Sequence, residues 1–274
     1  MMQVVQMTLF AIGSAAFARA WIATRGTALF HAVHWGAAAW LAWMFAIFIR
    51  ITSRPFEGFA APINPIDPNP FFYVALCLTG CAGVAVLGAR RPHVAAWNFV
   101  VASLFAVMVL PLIEKAVIGT QSLDWLRITF LATTLAIGIL NYLPTRFGPA
   151  AFLLALGCAG ELIGVLSNQP LPEGAEEQIL RLCVLSAALL AFARRLPGAT
   201  DALNLLWREF RDRWGLVWGL RVREQFNRSA ANAGWPVTLT WFGFTYQKPV
   251  DAATRTAISD ALSGLLHRFV DEKK

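Results

Sequence analysis

The chain has 274 residues, of which 57% are apolar and only 14% charged, and its formal net charge is +7. Soluble domains are nearer a quarter charged, so this composition excludes an ordinary soluble domain and requires lipid to cover much of the surface. In a membrane protein a basic excess goes with orientation, and no nucleic-acid partner is expected from it.

Seven apolar runs follow one another: Met2–Ala18, Thr27–Ile49, Phe71–Ala89, Val94–Ile118, Leu126–Leu143, Phe147–Leu166 and Gln178–Ala193. No Lys or Arg precedes the first, so it reads as a retained span and not as a cleaved signal peptide. The second is uncharged and bounded by Arg25 and Arg50. It is long enough to cross a bilayer core of about 30 Å. The seventh is the weakest, because Arg181 must snorkel outward if it is to span. The expected fold is therefore an all-α integral membrane protein of about seven transmembrane helices (1–195) with a small C-terminal tail (196–274).

Charge placement gives the expected orientation. With the N-terminus outside, the inner ends collect Arg19, Arg25, Arg90, Arg91, Arg146, Arg194 and Arg195. The outer ends collect Arg50, Arg54, Lys115, Arg127 and Arg181, together with every acid before the tail. This modest positive-inside bias puts the tail in the cytoplasm of a bacterial-type inner membrane.

The loop Arg50–Pro70 carries Pro55, Pro62, Pro65, Pro68 and Pro70. So many missing amide donors predict an extended cap and no regular element. Pro111 predicts a kink in the fourth span. Gly160 and Gly164 allow close helix packing. Cys77, Cys81, Cys158 and Cys183 all lie in apolar runs, which points to packing residues and away from disulfides or zinc.

After Arg195 the composition turns polar. Asp201 is a plausible N-cap for an amphipathic helix whose Leu203, Leu206, Trp207, Phe210, Trp214, Val217 and Trp218 form one stripe. Arg208, Glu209, Arg211 and Asp212 are expected on the other side. Tryptophans beside arginines directly after a span predict a helix on the leaflet surface, or against a partner, through Trp207, Phe210, Arg211, Trp214 and Trp218. The alternative is a stripe packed on the tail's own core. The segment 235–241 alternates like a strand and needs an edge partner, in the tail or in another chain. Asp251 is placed to cap a last helix.

Three histidines fall at similar depth in this scheme: His31 and His34 in the second span and His93 before the fourth. Ionisable groups within a bilayer invite a functional hypothesis. These three are candidate haem or metal ligands, with haem the cofactor that two axial histidines would hold. No acid lies on that side to serve a zinc hydrolase, and interhelical hydrogen bonding is the plainer role. Glu161, inside the sixth span, and Glu114, near the end of the fourth, are candidates for an ion or proton path. Glu161 has Arg181, Arg127 or Lys115 as possible ion-pair partners. No phosphate loop, dinucleotide fingerprint or nucleophile elbow is present, and no catalytic residues are expected. The sequence reads first as a non-enzymatic subunit or assembly factor of a membrane complex, with a protein partner or a second copy engaged through the tail. A haem-handling membrane protein of the cytochrome assembly type is the alternative, and a small-solute or ion transporter the second.

Overall fold

The structure is a computed structural model that describes residues 2–52, 69–88, 94–119, 124–166, 175–193 and 201–269. It is helical almost throughout: α1 (Met2–Ala23), α2 (Phe30–Thr52), α3 (Asn69–Leu87), α4 (Val94–Ile118), α5 (Trp125–Tyr142), α6 (Gly148–Leu166), α7 (Ala175–Ala193), α8 (Ala202–Asn232) and α9 (Ala252–His267). Two short strands, β1 (Val237–Leu239) and β2 (Phe244–Tyr246), lie between α8 and α9. Helices are what apolar runs adopt in lipid, because only there is each backbone donor and acceptor satisfied within its own segment.

Among the described residues, four helices are long and apolar enough to cross a membrane: Phe30–Thr52, Asn69–Leu87, Ala96–Ile118 and Trp125–Tyr142. Three shorter apolar helices, Thr8–Ala23, Gly148–Gly164 and Arg181–Ala191, accompany them. The chain is thus an all-α membrane protein. The proline-rich stretch expected as a cap falls mostly outside the described residues, as do Arg90, Arg91, His93, Arg194 and Arg195.

The bundle is built around α3, which packs against α2, α4, α5 and α6. Its approach to α5 depends on two glycines. A Cβ added at Gly83 would stand 2.5 Å from the Gly138 Cα, so the two backbones meet where neither residue has a side chain. Polar groups lock the other faces. The Trp43 indole of α2 donates to Thr79 Oγ1 at 3.0 Å, and the Tyr73 hydroxyl donates to the Met108 carbonyl of α4 at 2.7 Å. The α4 helix runs on through Pro111 without ending there. It lies at the edge of the bundle, and Phe99, Val107, Ile113 and Val117 on its outer face are exposed, as lipid-facing residues are. On the opposite flank α1 packs on α7 and α2, with the Trp40 indole donating to Ser14 Oγ at 3.1 Å.

The tail folds against the end of the bundle, and its buried side chains are continuous with the bundle's core. In α8 the chain kinks at Gly215, whose φ of 78° lies in the left-handed region that only glycine enters freely. The two strands form an antiparallel hairpin in the register Val237↔Tyr246, Thr238↔Thr245 and Leu239↔Phe244. The strand-like segment therefore finds its edge partner within the tail. Asp251 caps α9, its carboxylate accepting from the Thr254 amide at 2.8 Å. Trp207, Phe226, Leu239, Ile258 and Leu262 are fully buried where helices and hairpin meet. Phe269 closes this core, its ring 4.9 Å from Phe210, 5.1 Å from Trp214 and 5.3 Å from Trp218.

Candidate functional site

Two polar constellations lie inside an otherwise apolar molecule. The first is within the helical bundle. Glu161 on α6, Arg181 on α7 and Arg50 at the end of α2 are all at least nine-tenths buried, and both arginines are electrostatic partners of the carboxylate. The Arg181 guanidinium lies 5.6 Å from the centre of the Phe72 ring on α3. Glu161 Oε1 is buried with no hydrogen-bond partner among the described residues. In an apolar setting charge is costly unless compensated, and here the carboxylate and the guanidiniums offset one another.

This corrects the expectation for Arg181. It does not snorkel outward but turns into the bundle, because a buried carboxylate and an aromatic face on neighbouring helices offer it better compensation than the helix end does. Arg50, which reads in sequence as a boundary residue, joins the same cluster. Glu114, the second acidic candidate, is held elsewhere. Arg127 at the start of α5 grips it with two hydrogen bonds, of 2.5 and 3.1 Å. That pair ties α4 to α5 and is about a third exposed or less.

The second constellation joins the tail to the bundle. Asp212 on α8 is completely buried. Its Oδ1 accepts from Arg211 Nε at 2.9 Å, from Arg211 Nη2 at 2.7 Å and from the Arg146 amide at 3.3 Å, while the Arg146 Nε stands 3.8 Å from Oδ2. Beside it Asn141, at the end of α5, donates to the Trp214 carbonyl at 3.4 Å and accepts from the Val217 amide at 3.0 Å. Both groups flank Gly215, where a Cβ would stand 2.6 Å from Asn141 Cγ. The kink thus opens the helix backbone to a side chain of the bundle. The Tyr142 hydroxyl donates to the Arg213 carbonyl at 3.2 Å, the Trp218 indole to the Val86 carbonyl at 3.2 Å, and the Trp241 indole to the Pro144 carbonyl at 3.0 Å.

The aromatic stripe of α8 is turned inward. Trp207, Phe210, Trp214 and Trp218 are all buried, whereas Leu206 and Val217, placed on the same stripe by spacing, are 37% and 38% exposed. These rings pack against α9, the hairpin and the end of α3, within the core that the tail shares with the bundle. Arg211 and Asp212 were expected on the far side of the helix and are buried as a pair. The residues that sequence reasoning missed are Asn141, Arg146, Asp212 and Trp241. Only Asp212 carried a signal, as an acid between two arginines in an aromatic helix.

The histidines are placed differently from one another. His31 is exposed, and its ring centre is 6.2 Å from that of His34. His34 is wedged between Trp21 at 3.8 Å and Phe30 at 4.3 Å, and its Nδ1 lies 2.7 Å from the Phe30 carbonyl. This leaves only Nε2 for any other partner. His93 lies outside the described residues. Trp35, next to His34, donates to Asn98 Oδ1 on α4 at 2.8 Å. Among the described residues, no group of three His, Cys, Asp or Glu side chains is placed to hold a metal ion. Comparison with protein-family models, curated proteins and solved structures finds no match to this chain.

Proposed function

We propose that this protein is a non-enzymatic subunit or assembly factor of a membrane complex, with the tail as its partner-facing module. The observation that carries this reading is the docking of the tail. The tail is hydrogen-bonded to the ends of α3 and α5 and to the α5–α6 loop through Trp218, Asn141, Tyr142, Trp241 and Asp212. A tail held this firmly presents a fixed surface. Its outward stripe carries Arg221, Glu224 and Arg228 on α8, all exposed and spaced to share one face. Such a charged stripe suits a protein partner or a second copy of the chain. We place the protein in a bacterial-type inner membrane with seven spans, the N-terminus outside and the tail in the cytoplasm, from the inner-end arginines. The test is co-purification from native membranes. Loosening the dock with Asp212→Asn is expected to weaken recovery of the partner while the bundle remains in the membrane.

The buried carboxylate favours a second reading, an ion or anionic-solute path through the bundle. Intramembrane Glu and Arg are common on such paths. Uptake into proteoliposomes that collapses in Glu161→Gln would move the assignment there.

A further inference from the structure

The turn between β1 and β2 is fixed from several sides and yet ends in a bare aromatic ring. Thr240 closes it, its amide and hydroxyl both donating to the Gly243 carbonyl, at 2.9 and 2.7 Å. The Trp241 carbonyl accepts from Trp207 Nε1 at 3.2 Å and from Arg211 Nη1 at 2.9 Å, and the Phe242 carbonyl accepts from Arg208 Nε at 3.1 Å. The Phe242 side chain is nevertheless 74% exposed. A turn fixed in this way holds its phenyl ring out toward whatever surrounds the protein there.

The position of the turn identifies that surrounding. Trp241, one residue away, donates its indole to the Pro144 carbonyl at 3.0 Å. Pro144 directly follows the last turn of α5, where Leu140 and Leu143 are 56% and 38% exposed on the surface that lipid covers. The turn that carries Phe242 therefore sits against the end of the bundle where α5 finishes. A basic group borders it: Arg208 is bound to the turn itself. Aromatic side chains with arginines beside them are the residues that settle at the headgroup boundary.

We propose that the hairpin tip is the tail's membrane anchor: Phe242 enters the headgroup–acyl boundary of the adjoining leaflet, with Arg208 placed against phospholipid phosphates. The contact falls on the hairpin, and not on the aromatic stripe of α8.

A nitroxide depth measurement on the full chain in phosphatidylglycerol-containing vesicles tests this. The label is attached at Phe242→Cys, Leu140→Cys or Lys248→Cys in a Cys183→Ala background, where the other three cysteines are buried. The ratio of oxygen to water-soluble nickel-chelate collisions at 242 is expected to group with lipid-facing 140 and to exceed that at exposed 248. A ratio at 242 that groups with 248 overturns the proposal. A benzophenone amino acid at 242 in native membranes is expected to give lipid adducts, and an adduct with another protein would overturn the proposal as well. Because Phe242 lies outside the core, neither change removes a contact that holds the tail together.

Discussion

The indole of Trp218 donates a hydrogen bond to the carbonyl of Val86, 3.2 Å away and 132 residues earlier in the chain. Val86 ends the central helix of the bundle, so one side chain fastens the tail to the element around which the other spans pack. The carbonyl needs this donor because the last carbonyls of a helix lack intrahelical partners.

Removing that donor while keeping an apolar ring separates hydrogen bond from packing. Trp218→Phe is expected to destabilise the docked tail by about 1 kcal/mol, the net worth of a hydrogen bond. Trp218→Ala is expected to cost roughly 3–5 kcal/mol, because it also leaves a cavity against Phe269. Limited proteolysis of membrane-embedded protein reads both, as faster cleavage at the junction of α7 and α8.

The charge of Asp212 is fully buried against Arg211, with Arg146 beside it. Asp212→Asn leaves two guanidiniums facing a neutral amide. Removal of one partner from a buried pair costs about 3–5 kcal/mol, and the lower value is expected because Arg146 is partly solvated. The double change Arg211→Met with Asp212→Leu is expected to cost less than the single one. Thermal unfolding of the two variants in detergent makes the comparison, and a double variant that is worse than Asp212→Asn would refute the charge argument.

In the bundle, the Glu161 carboxylate is an electrostatic partner of both Arg181 and Arg50. Glu161→Gln is expected to lower the melting temperature markedly, at about 3–5 kcal/mol. Adding Arg181→Met is expected to restore part of the loss, as coupled neighbours do. Strict additivity of the two changes would show that the residues do not share one charge cluster.

The tail has its own acid response. Hydrogen bonds from Thr254 to the Asp251 carboxylate hold that carboxyl below the usual aspartate range. A lowered folded-state pKa means that the capping contribution is complete above the unfolded value, about 4, and is lost as pH falls through the lower folded value. The protection of the Thr254 amide, its exchange rate relative to the intrinsic rate at the same pH, is expected to hold at neutral pH and to fall only in that acid window. In Asp251→Ala the protection is expected to be low at every pH.

Much of the architecture is legible in the sequence, because a long uncharged run has few options in lipid. The fourth expected span agrees with α4 at both ends, and the Asp251 cap and the last helix are where their signals lie. What escapes is what depends on remote partners. Arg50 reads as a boundary residue because nothing local reveals Glu161, more than a hundred positions away. The Gly83–Gly138 approach joins two glycines that are unremarkable in their own spans. In α8 the stripe is read correctly at Trp207, Phe210, Trp214 and Trp218, but spacing alone does not say whether a membrane or a core will cover it. The hairpin, α9 and the end of α3 decide that. Past Gly215 the periodicity shifts with the kink, and Val217 faces outward.

The measurement that tests the central claim most directly is the mass and composition of the particle extracted from native membranes in mild detergent, for the full chain and for a chain ending before α8. The account predicts a defined assembly, with a stoichiometric partner or a second copy, that is lost when the tail is removed while the bundle stays in the membrane. A full-length chain recovered only as a monomer, or the same assembly recovered without the tail, would contradict it.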